Sequence, residues 1–407
     1  MLAAPARAQD SVATIRDWLR PRATLRSSAW SSSRRLDGRG PLFGATMWVE
    51  LSPRLSEHVG VHAAGWGGFG STQEPGQADA RIRELYADIA MGPAELRAGK
   101  QIFAWGRADA LNPTDNLTPR DFTLLATDDD EQKIGAPALR IAVTAKGTTV
   151  SAIWLAGFQG HTLPLGTLPP GTQLVRPTQG RSESQGAVRV EHAGGRVDWS
   201  ASYFDGLDLS PDAALRETPS GSVLVLSYHR LRAVGADAAT TLGRYQVRAE
   251  GALLLTENAT GHDAGIQNST AFAVLGADRT YGSYLNLNLQ YVVRYVRGFT
   301  PAESIVDPAR RLVAIMIARL SQQMREVQHG VTVRVSDQWL HETLKVEVAA
   351  VAYADPRQLL LRSRVTYALS DRWQVAAGAD RFGGEVGSLF DSLRRNSLAF
   401  VEVRLGF

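Results

Sequence analysis

Apolar and polar residues alternate with a period of two along most of the chain. In the segment Tyr284–Arg297, the odd positions from 285 to 295 are Leu, Tyr or Val, and positions 286, 288 and 290 are Asn or Gln. A β-strand with one apolar and one polar face has this pattern. Because such segments run about ten residues, they match tilted strands that cross a bilayer better than the shorter strands of soluble sandwiches.

The same alternation predicts about 18 strands. They lie at 22–34, 42–53, 57–68, 80–91, 95–105, 137–146, 148–157, 183–193, 196–205, 222–233, 243–256, 269–278, 283–297, 326–337, 341–354, 357–369, 372–382 and 396–407. Tight turns alternate with mostly longer loops, as in outer-membrane barrels with short periplasmic turns and long extracellular loops. A sheet in lipid cannot leave an edge unpaired, so we predict an all-β fold, a closed antiparallel transmembrane β-barrel.

Aromatic residues near the predicted strand ends are candidates for the two belts at the membrane interfaces. They are Trp48, Trp105, Trp154, Trp199, Tyr203 and Trp373. The final segment, Ser397–Phe407, alternates up to a terminal Phe407. It resembles the C-terminal strand of bacterial outer-membrane proteins, which the barrel-assembly machinery recognises. The resemblance implies that Phe407 is an assembly signal.

Two segments depart from the strand pattern. Residues 1–9 contain an Ala-x-Ala stretch typical of the end of a secretory signal peptide, and an ordinary disordered terminus is the alternative. Residues 10–21 have helical spacing and are predicted to form a short periplasmic helix or an unstructured lead-in, before a barrel domain at 22–407. Asp307–Met324 is a better helix candidate, since Asp307 suits the N-cap and Pro308 the first turn. It lies in a predicted extracellular loop, and an extra hairpin is the alternative.

Composition excludes several functions. No apolar run reaches the length of a transmembrane helix. A net charge of +3 gives no reason to expect nucleic acid as a partner. The chain has no cysteine, which removes thiol catalysis and thiolate metal sites. No phosphate loop, His-Glu-x-x-His motif or nucleophile elbow is found, so we expect neither an enzyme nor a cofactor or metal site.

Charged residues on the polar strand faces are expected to line the lumen. The arginines placed there are Arg244, Arg248, Arg294, Arg334, Arg362, Arg364 and Arg404. The long polar loop at 106–136 adds Arg107, Asp109, Asp115, Arg120 and Asp121 as candidates for a constriction. Two interpretations stay open. The charges in the lumen either determine ion selectivity or form ion pairs that stabilise the wall. The loop either folds into the pore or is held at the surface by turn hydrogen bonds, with Asp128–Glu131 in solvent.

One segment resembles known proteins. In Leu96–Asn116, "LRAGKQIFAWGRADALNPTDN", the residues Gly99, Lys100, Gln101, Trp105, Gly106, Asn112 and Pro113 match a Gly-(Arg/Lys)-Gln…Trp-Gly…Asn-Pro pattern. It resembles a segment of porin-like bacterial outer-membrane barrels and, more distantly, of the 18-stranded alginate-export and capsule-attachment barrels. The resemblance implies a channel. The lumen of the polysaccharide barrels is strongly basic, whereas this one is expected to be only mildly so.

The sequence therefore predicts a channel in the outer membrane of a Gram-negative bacterium that passes a polar solute or polymer through a charged lumen. Export of a surface polysaccharide is its most specific version. A small-solute porin is the alternative, and a plugged structural or assembly barrel is a second one. The expected partners are outer-membrane lipid and lipopolysaccharide, the barrel-assembly machinery and, for the export hypothesis, a periplasmic polysaccharide-export protein.

Overall fold

A computed structural model of the chain describes residues 18–32, 41–70, 78–164, 172–175, 184–219 and 221–407. Eighteen strands in the described part form one sheet in which each strand pairs antiparallel with its neighbours. The first and last of these strands also pair, with Thr24 opposite Gly406 and Ser32 opposite Leu398, so the sheet closes into a barrel. Closure satisfies every edge, which is the condition for a sheet in lipid.

The barrel strands, numbered in chain order, are β1 (Arg22–Ser32), β2 (Leu42–Leu51), β3 (Val59–Phe69), β4 (Ala78–Met91), β5 (Ala94–Gln101), β6 (Ala136–Ala145), β7 (Thr148–Leu155), β9 (Gln185–His192), β10 (Asp198–Leu207), β13 (Arg230–Leu242), β14 (Tyr245–Thr256), β15 (Thr270–Tyr281), β16 (Leu285–Val296), β17 (Val327–Trp339), β18 (Leu344–Ala354), β19 (Arg357–Ala368), β20 (Trp373–Gly384) and β21 (Leu398–Gly406). β8 (Thr172–Val175), β11 (Asp212–Thr218) and β12 (Gly221–Ser227) form a second, three-stranded sheet. The helices are α1 (Pro308–Leu320) and the four-residue α2 (Leu389–Ser392).

Short turns such as 92–93, 146–147 and 243–244 lie at one end of the barrel, and the long connections 102–135, 208–229 and 297–326 lie at the other. The predicted alternation of turns and loops is therefore confirmed. The end with the long loops is the extracellular end of an outer-membrane barrel.

The helix predicted at 307–324 is confirmed as α1, in the connection between β16 and β17. The Asp307 side chain accepts a hydrogen bond of 2.7 Å from the backbone N–H of Arg310, which caps the first turn. One face of α1 packs on the second sheet, where Val313 and Ile317 share a small core with Leu224 and Leu226. Helix and sheet together form a compact unit at the extracellular end, hereafter the outer subdomain.

One strand prediction is wrong. The predicted segment 222–233 covers most of β12 and the first residues of β13. These are two separate strands, because β12 belongs to the outer subdomain and β13, which begins at Arg230, belongs to the barrel. Both elements alternate, so the local pattern did not mark the break between them. The correct β13 ends at the Gly243–Arg244 turn, and Arg244 is exposed in that turn instead of facing the lumen.

Apolar side chains cover the outside of the barrel, as the alternation predicts. Leu275, Leu289 and Val401 are each more than half exposed there. Trp154, Trp199, Tyr203 and Trp373 are exposed as well. Trp48 and Trp105 are not part of an interfacial belt: Trp48 lies beside Trp66 with the Arg26 guanidinium over its ring, and Trp105 is buried inside the barrel.

Within the described residues, no helix has the length and apolar character needed to cross a membrane. The predicted signal-peptide remnant at 1–9 and most of the predicted helix at 10–21 lie outside the described residues. Phe407 directly follows β21. Its backbone N–H donates to Ala23 O at 2.9 Å, and its side chain is exposed. Its role in assembly stays a prediction.

Candidate functional site

The connection between β5 and β6, residues 102–135, folds into the barrel and is hereafter the inserted loop. Its first residues bring Phe103, Trp105 and Leu117 into a buried core with inward-facing side chains of the wall, among them Ile153 and Phe204. Apolar burial of this kind stabilises the loop on the β6–β13 side. The expectation that Trp105 lies near the membrane interface is therefore wrong, because the chain turns inward at this residue.

A bulge in β4 prepares the wall for this loop. The register with β3 shifts so that Ala64 lies opposite Glu84 and Gly65 opposite Ile82, which leaves Arg83 without a partner. A bulge re-aims side chains, and here Arg83 and Glu84 both reach the loop. Glu84 accepts the Ile102 N–H at 2.9 Å, and Arg83 Nε donates to Lys133 O at 3.1 Å. Adjacent residues thus hold both ends of the inserted loop.

The Glu250 carboxylate of β14 is the main anchor of the first half of the loop. Its Oε2 accepts the backbone N–H groups of Arg107 at 2.7 Å and Ala108 at 2.9 Å. Its Oε1 accepts the N–H of Thr114 at 2.9 Å and the Thr114 hydroxyl at 2.8 Å. Gly106 permits this approach, because a Cβ at that position would lie 2.5 Å from Glu250 Oε1. The side chain is 4% exposed, so these four bonds are shielded from water.

Arg107 is held by carboxylates of the neighbouring strands. Its Nε donates to Asp237 Oδ1 at 2.6 Å, and its guanidinium lies 3.4 Å from Glu191 Oε1. Arg189 of β9 approaches the other oxygen of Asp237 at 3.5 Å. The Asp237 carboxylate is therefore shared by two arginines, and the predicted site residue Arg107 is part of a closed ionic network.

Asp109 lies further along the loop, against the β14–β17 wall. One carboxylate oxygen is 3.1 Å from Arg248 Nη1, and the other is 3.1 Å from Arg334 Nη2 and 2.6 Å from Asn288 Nδ2. Arg248 also pairs with Asp278. Asp109 and Arg334 both keep contact with solvent, and the Arg334 side chain is 42% exposed although it lies in the middle of β17.

The second half of the loop reaches the opposite part of the wall. Asp129 pairs with Arg362 of β19, and Glu131 Oε1 lies 2.7 Å from Arg26 Nη1 of β1 and 3.9 Å from Arg404 of β21. The hypothesis that all of Asp128–Glu131 lies in solvent is thus wrong for Glu131, whose side chain is 13% exposed, whereas the Asp129 side chain is half exposed although it pairs with Arg362. The loop spans the lumen from β14–β17 to β1, β19 and β21.

The remaining predicted loop residues are structural partners of the loop itself. Asp121 is buried and pairs with Arg81 of β4. Arg120 lies 3.6 Å from Asp115, whose burial raises the pKa of that carboxyl to about 6. The Arg120 backbone N–H donates to Nδ1 of His161 at 3.0 Å, and burial lowers the pKa of His161 to about 3, so the imidazole stays a neutral acceptor.

Apart from Arg244, which lies in a turn, the predicted wall arginines divide into three groups. Arg248, Arg334, Arg362 and Arg404 contact the inserted loop. Arg294 instead donates to the carbonyl oxygens of Ser321 and Gln322, at 2.9 and 3.0 Å, and so holds the end of α1. Arg364 shares the inward face of β19 with Arg362, and no described carboxylate lies within ion-pair distance of it.

Sequence reasoning missed several partners of the loop. Arg26, Arg81, Arg83 and Asp237 were not among its candidates. Alternation identifies Asp237 as an inward residue once β13 is given its correct bounds. No local pattern indicates that Glu250 meets a turn more than a hundred residues earlier in the chain.

A second polar cluster joins the outer subdomain to the barrel. Asp212, the buried first residue of β11, accepts the Gln267 backbone N–H and lies 2.9 Å from Nδ1 of His229. Burial raises the pKa of Asp212, and the hydrogen bond to Asp212 raises the pKa of His229. Burial beside Asp212 raises the pKa of Asp208 to about 7 although Ser210 donates its N–H to that carboxylate.

All three groups bind protons more readily in the folded state, so their contribution to stability is lost as the pH rises through their folded pKa values. The neighbouring Asp263 and Glu257 carboxylates reinforce this direction for His229. We therefore expect the 208–229 connection to loosen as the pH rises from about 4, the ordinary pKa of an aspartate, to about 7, the folded pKa of Asp208. Replacing Asp208 with Asn mimics the protonated acid. Limited proteolysis should cleave this variant and the wild type about equally at pH 4, and should cleave the variant more slowly at pH 8, by at most about tenfold for each pH unit between the ordinary and the folded pKa of Asp208. Equal cleavage at both pH values would contradict the assignment.

Comparison with known proteins finds no match among family models and none among curated sequences. Among solved structures, the chain is similar to OccK3 (OpdO) of Pseudomonas aeruginosa, with 12% identity, 97% of each chain covered and a TM-score of 0.57. It is similar to OccAB1 of Acinetobacter baumannii, with 10% identity, 95% of each chain covered and a TM-score of 0.57. It is also similar to Pseudomonas aeruginosa OpdK in a structure with vanillate, with 11% identity, 95% of this chain and 98% of that chain covered, and a TM-score of 0.54.

The fold is that of an outer-membrane β-barrel. At these identities the likeness concerns the fold and not the residues of the lumen. The barrel and its closure agree with what the alternation predicts from the sequence. The contacts of the inserted loop are therefore taken from the structure of this chain and not from the similar structures.

Proposed function

We propose that this protein is a channel that passes small polar solutes across the outer membrane. The observation that carries the proposal is the inserted loop, which spans the lumen and is fixed to opposite parts of the wall. An 18-stranded barrel is wide enough for a water-filled bore, and a loop fixed across it narrows that bore. The exposure of Arg334 at mid-height supports an aqueous path beside the loop.

The same geometry favours small solutes over a polymer. Arg26, Arg248, Arg362 and Arg404, which a chain of acidic sugars would need as free cations, are paired with acids of the loop or of the wall. Polysaccharide export is therefore the weaker hypothesis. The periplasmic export protein that it requires is not part of this proposal.

Carboxylate-bearing solutes are the class that the open part of the wall suits best. Arg334 has one acidic partner and is partly exposed, and Arg364 has none among the described residues. A guanidinium binds a carboxylate through two parallel hydrogen bonds. Vanillate, the compound in the OpdK structure, is itself a small carboxylate, which adds support by analogy of fold.

Planar-bilayer recording tests the proposal. The purified full chain should produce discrete, long-lived conductance steps, and removing residues 106–135 should enlarge them, because the deletion removes the part of the loop that crosses the lumen. A wild type that does not conduct beside a deletion variant that does would identify a plugged barrel. Absence of conductance in both proteins, with folding verified by heat-modifiable migration in gels, would overturn the channel hypothesis.

A further inference from the structure

Four arginines form a row on the outside of the barrel at its extracellular end. Arg297 directly follows β16, Arg325 precedes β17, Arg357 begins β19 and Arg381 lies near the end of β20. All four side chains reach solvent, and the Arg357 side chain is 84% exposed. These residues are hereafter the outer arginine row.

Strand register shows which way the row faces. Arg381 lies directly opposite Leu361 of β19, whose side chain is exposed on the lipid-facing surface. Arg357 shares that face of β19 with Leu359 and Leu361, since alternate residues of a strand point the same way. Leu359 and Leu361 therefore lie below Arg357 on the same face of β19, at the level of Arg381, and Tyr295 of β16 and Val327 of β17 lie below Arg297 and Arg325.

The charge of the row is only partly balanced by the protein. Arg325 Nε lies 3.0 Å from Asp355, and Arg357 Nε lies 3.2 Å from Glu385. In the described part of the chain, no carboxylate lies within ion-pair distance of Arg297 or Arg381. A charged side chain on the lipid-facing surface is costly unless it reaches the headgroup region. Arg297, Arg325 and Arg357 meet that condition because they lie at the upper edge of the apolar surface, and the long side chain of Arg381 spans the short distance from Leu361 to that edge.

We propose that the outer arginine row binds the phosphate groups of lipid A, the diphosphorylated glycolipid that anchors lipopolysaccharide in the outer leaflet. The guanidinium fork matches phosphate oxygens, and basic residues clustered at a membrane surface bind anionic headgroups. The acyl chains of the same molecule then lie on the apolar residues below. The long loops place this end of the barrel in the outer leaflet, which is the leaflet that contains this lipid. The inference is independent of the proposed transport function.

Binding of purified lipid A to the full-length protein in detergent, followed by native mass spectrometry, tests the row. We expect the double variant R297A/R381A to bind lipid A roughly tenfold more weakly than the wild type. The matched control is R244A/R372A, which removes two exposed arginines from turns at the other end of the barrel. This control should bind as the wild type does. R297K/R381K should be intermediate, because it keeps the charge and loses the fork.

Three results would overturn the proposal. They are unchanged lipid A binding by R297A/R381A, equal loss in the control, and binding of phosphatidylglycerol or of inorganic phosphate that is as tight as binding of lipid A. Heat-modifiable migration establishes that each variant is folded, and the single variants R297A and R381A replace the double variant if it is not. Conductance of R297A/R381A should match the wild type, so a failure of this proposal is distinguishable from a failure of the channel hypothesis.

Discussion

Replacing Glu250 with Ala is expected to release the first half of the inserted loop and to raise the single-channel conductance. The substitution removes the acceptor of four hydrogen bonds and leaves the backbone N–H groups of Arg107, Ala108 and Thr114 without it. Each buried donor left unsatisfied costs about 1–3 kcal/mol. Three such donors together destabilise this arrangement of the loop by roughly 3 kcal/mol or more, so alternative positions closer to the wall become populated.

The measurement is the conductance and the current noise of E250A in planar bilayers. E250Q serves as a second variant, because it keeps the shape of the side chain but directs an NH₂ group at backbone donors. Glu347 is the matched control: it lies on the inward face of β18 and pairs with Lys345 at 3.6 Å, and no described residue of the loop lies within ion-pair distance of it. E347A should keep the wild-type step size. If E250A also keeps it, Glu250 does not determine the position of the loop.

Asp109→Asn is expected to shift the ion selectivity toward anions. Asp109 is the one carboxylate within ion-pair distance of Arg334 among the described residues, at 3.1 Å, and that arginine is partly open to the lumen. Arg248 keeps its second partner, Asp278, so the local arrangement should survive the substitution. One unit of charge at about 5 Å from a passing ion in water is worth about 0.8 kcal/mol. Its removal favours anions and disfavours cations by this amount, which corresponds to roughly a sixteenfold change in the anion-to-cation permeability ratio.

Reversal potentials under a KCl gradient measure this ratio. D128N is the control, because Asp128 belongs to the same loop but is exposed and contacts only the loop backbone, at the N–H of Asp130. Its selectivity should equal that of the wild type. A D109N channel with unchanged reversal potential would show that ions do not pass the Asp109–Arg334 pair. Equal shifts in both variants would indicate a general effect of charge and not of position.

Much of the barrel could be predicted from the sequence because lipid on one face of each strand and the polar interior on the other determine which residues alternate along it. In 284–297, lipid on one side and a polar interior on the other select alternate residues, and β16 occupies Leu285–Val296 within that segment. The long and short connections alternate because successive strands cross the membrane in opposite directions, so that every second connection lies at the same end of the barrel. Even α1 was visible, because Asp307 and Pro308 are local signals for a helix start.

Local alternation failed where two elements with the same period follow each other. β12 and β13 are both strands, but one belongs to the outer subdomain and the other to the barrel, and only the pairing partners distinguish them. The bulge that turns Arg83 and Glu84 to the same side could not be predicted from the sequence either, because it is defined by the register between β4 and β3.

The sequence by itself determined that this chain forms a closed barrel with a charged interior and one long polar loop after β5. Only the tertiary structure decided where that loop lies. Its anchors are separated from it by long stretches of chain, 143 residues between Arg107 and Glu250 and 233 between Asp129 and Arg362. Closure of the barrel brings them together, and a buried carboxylate such as Glu250 then has to accept the hydrogen bonds that water no longer supplies.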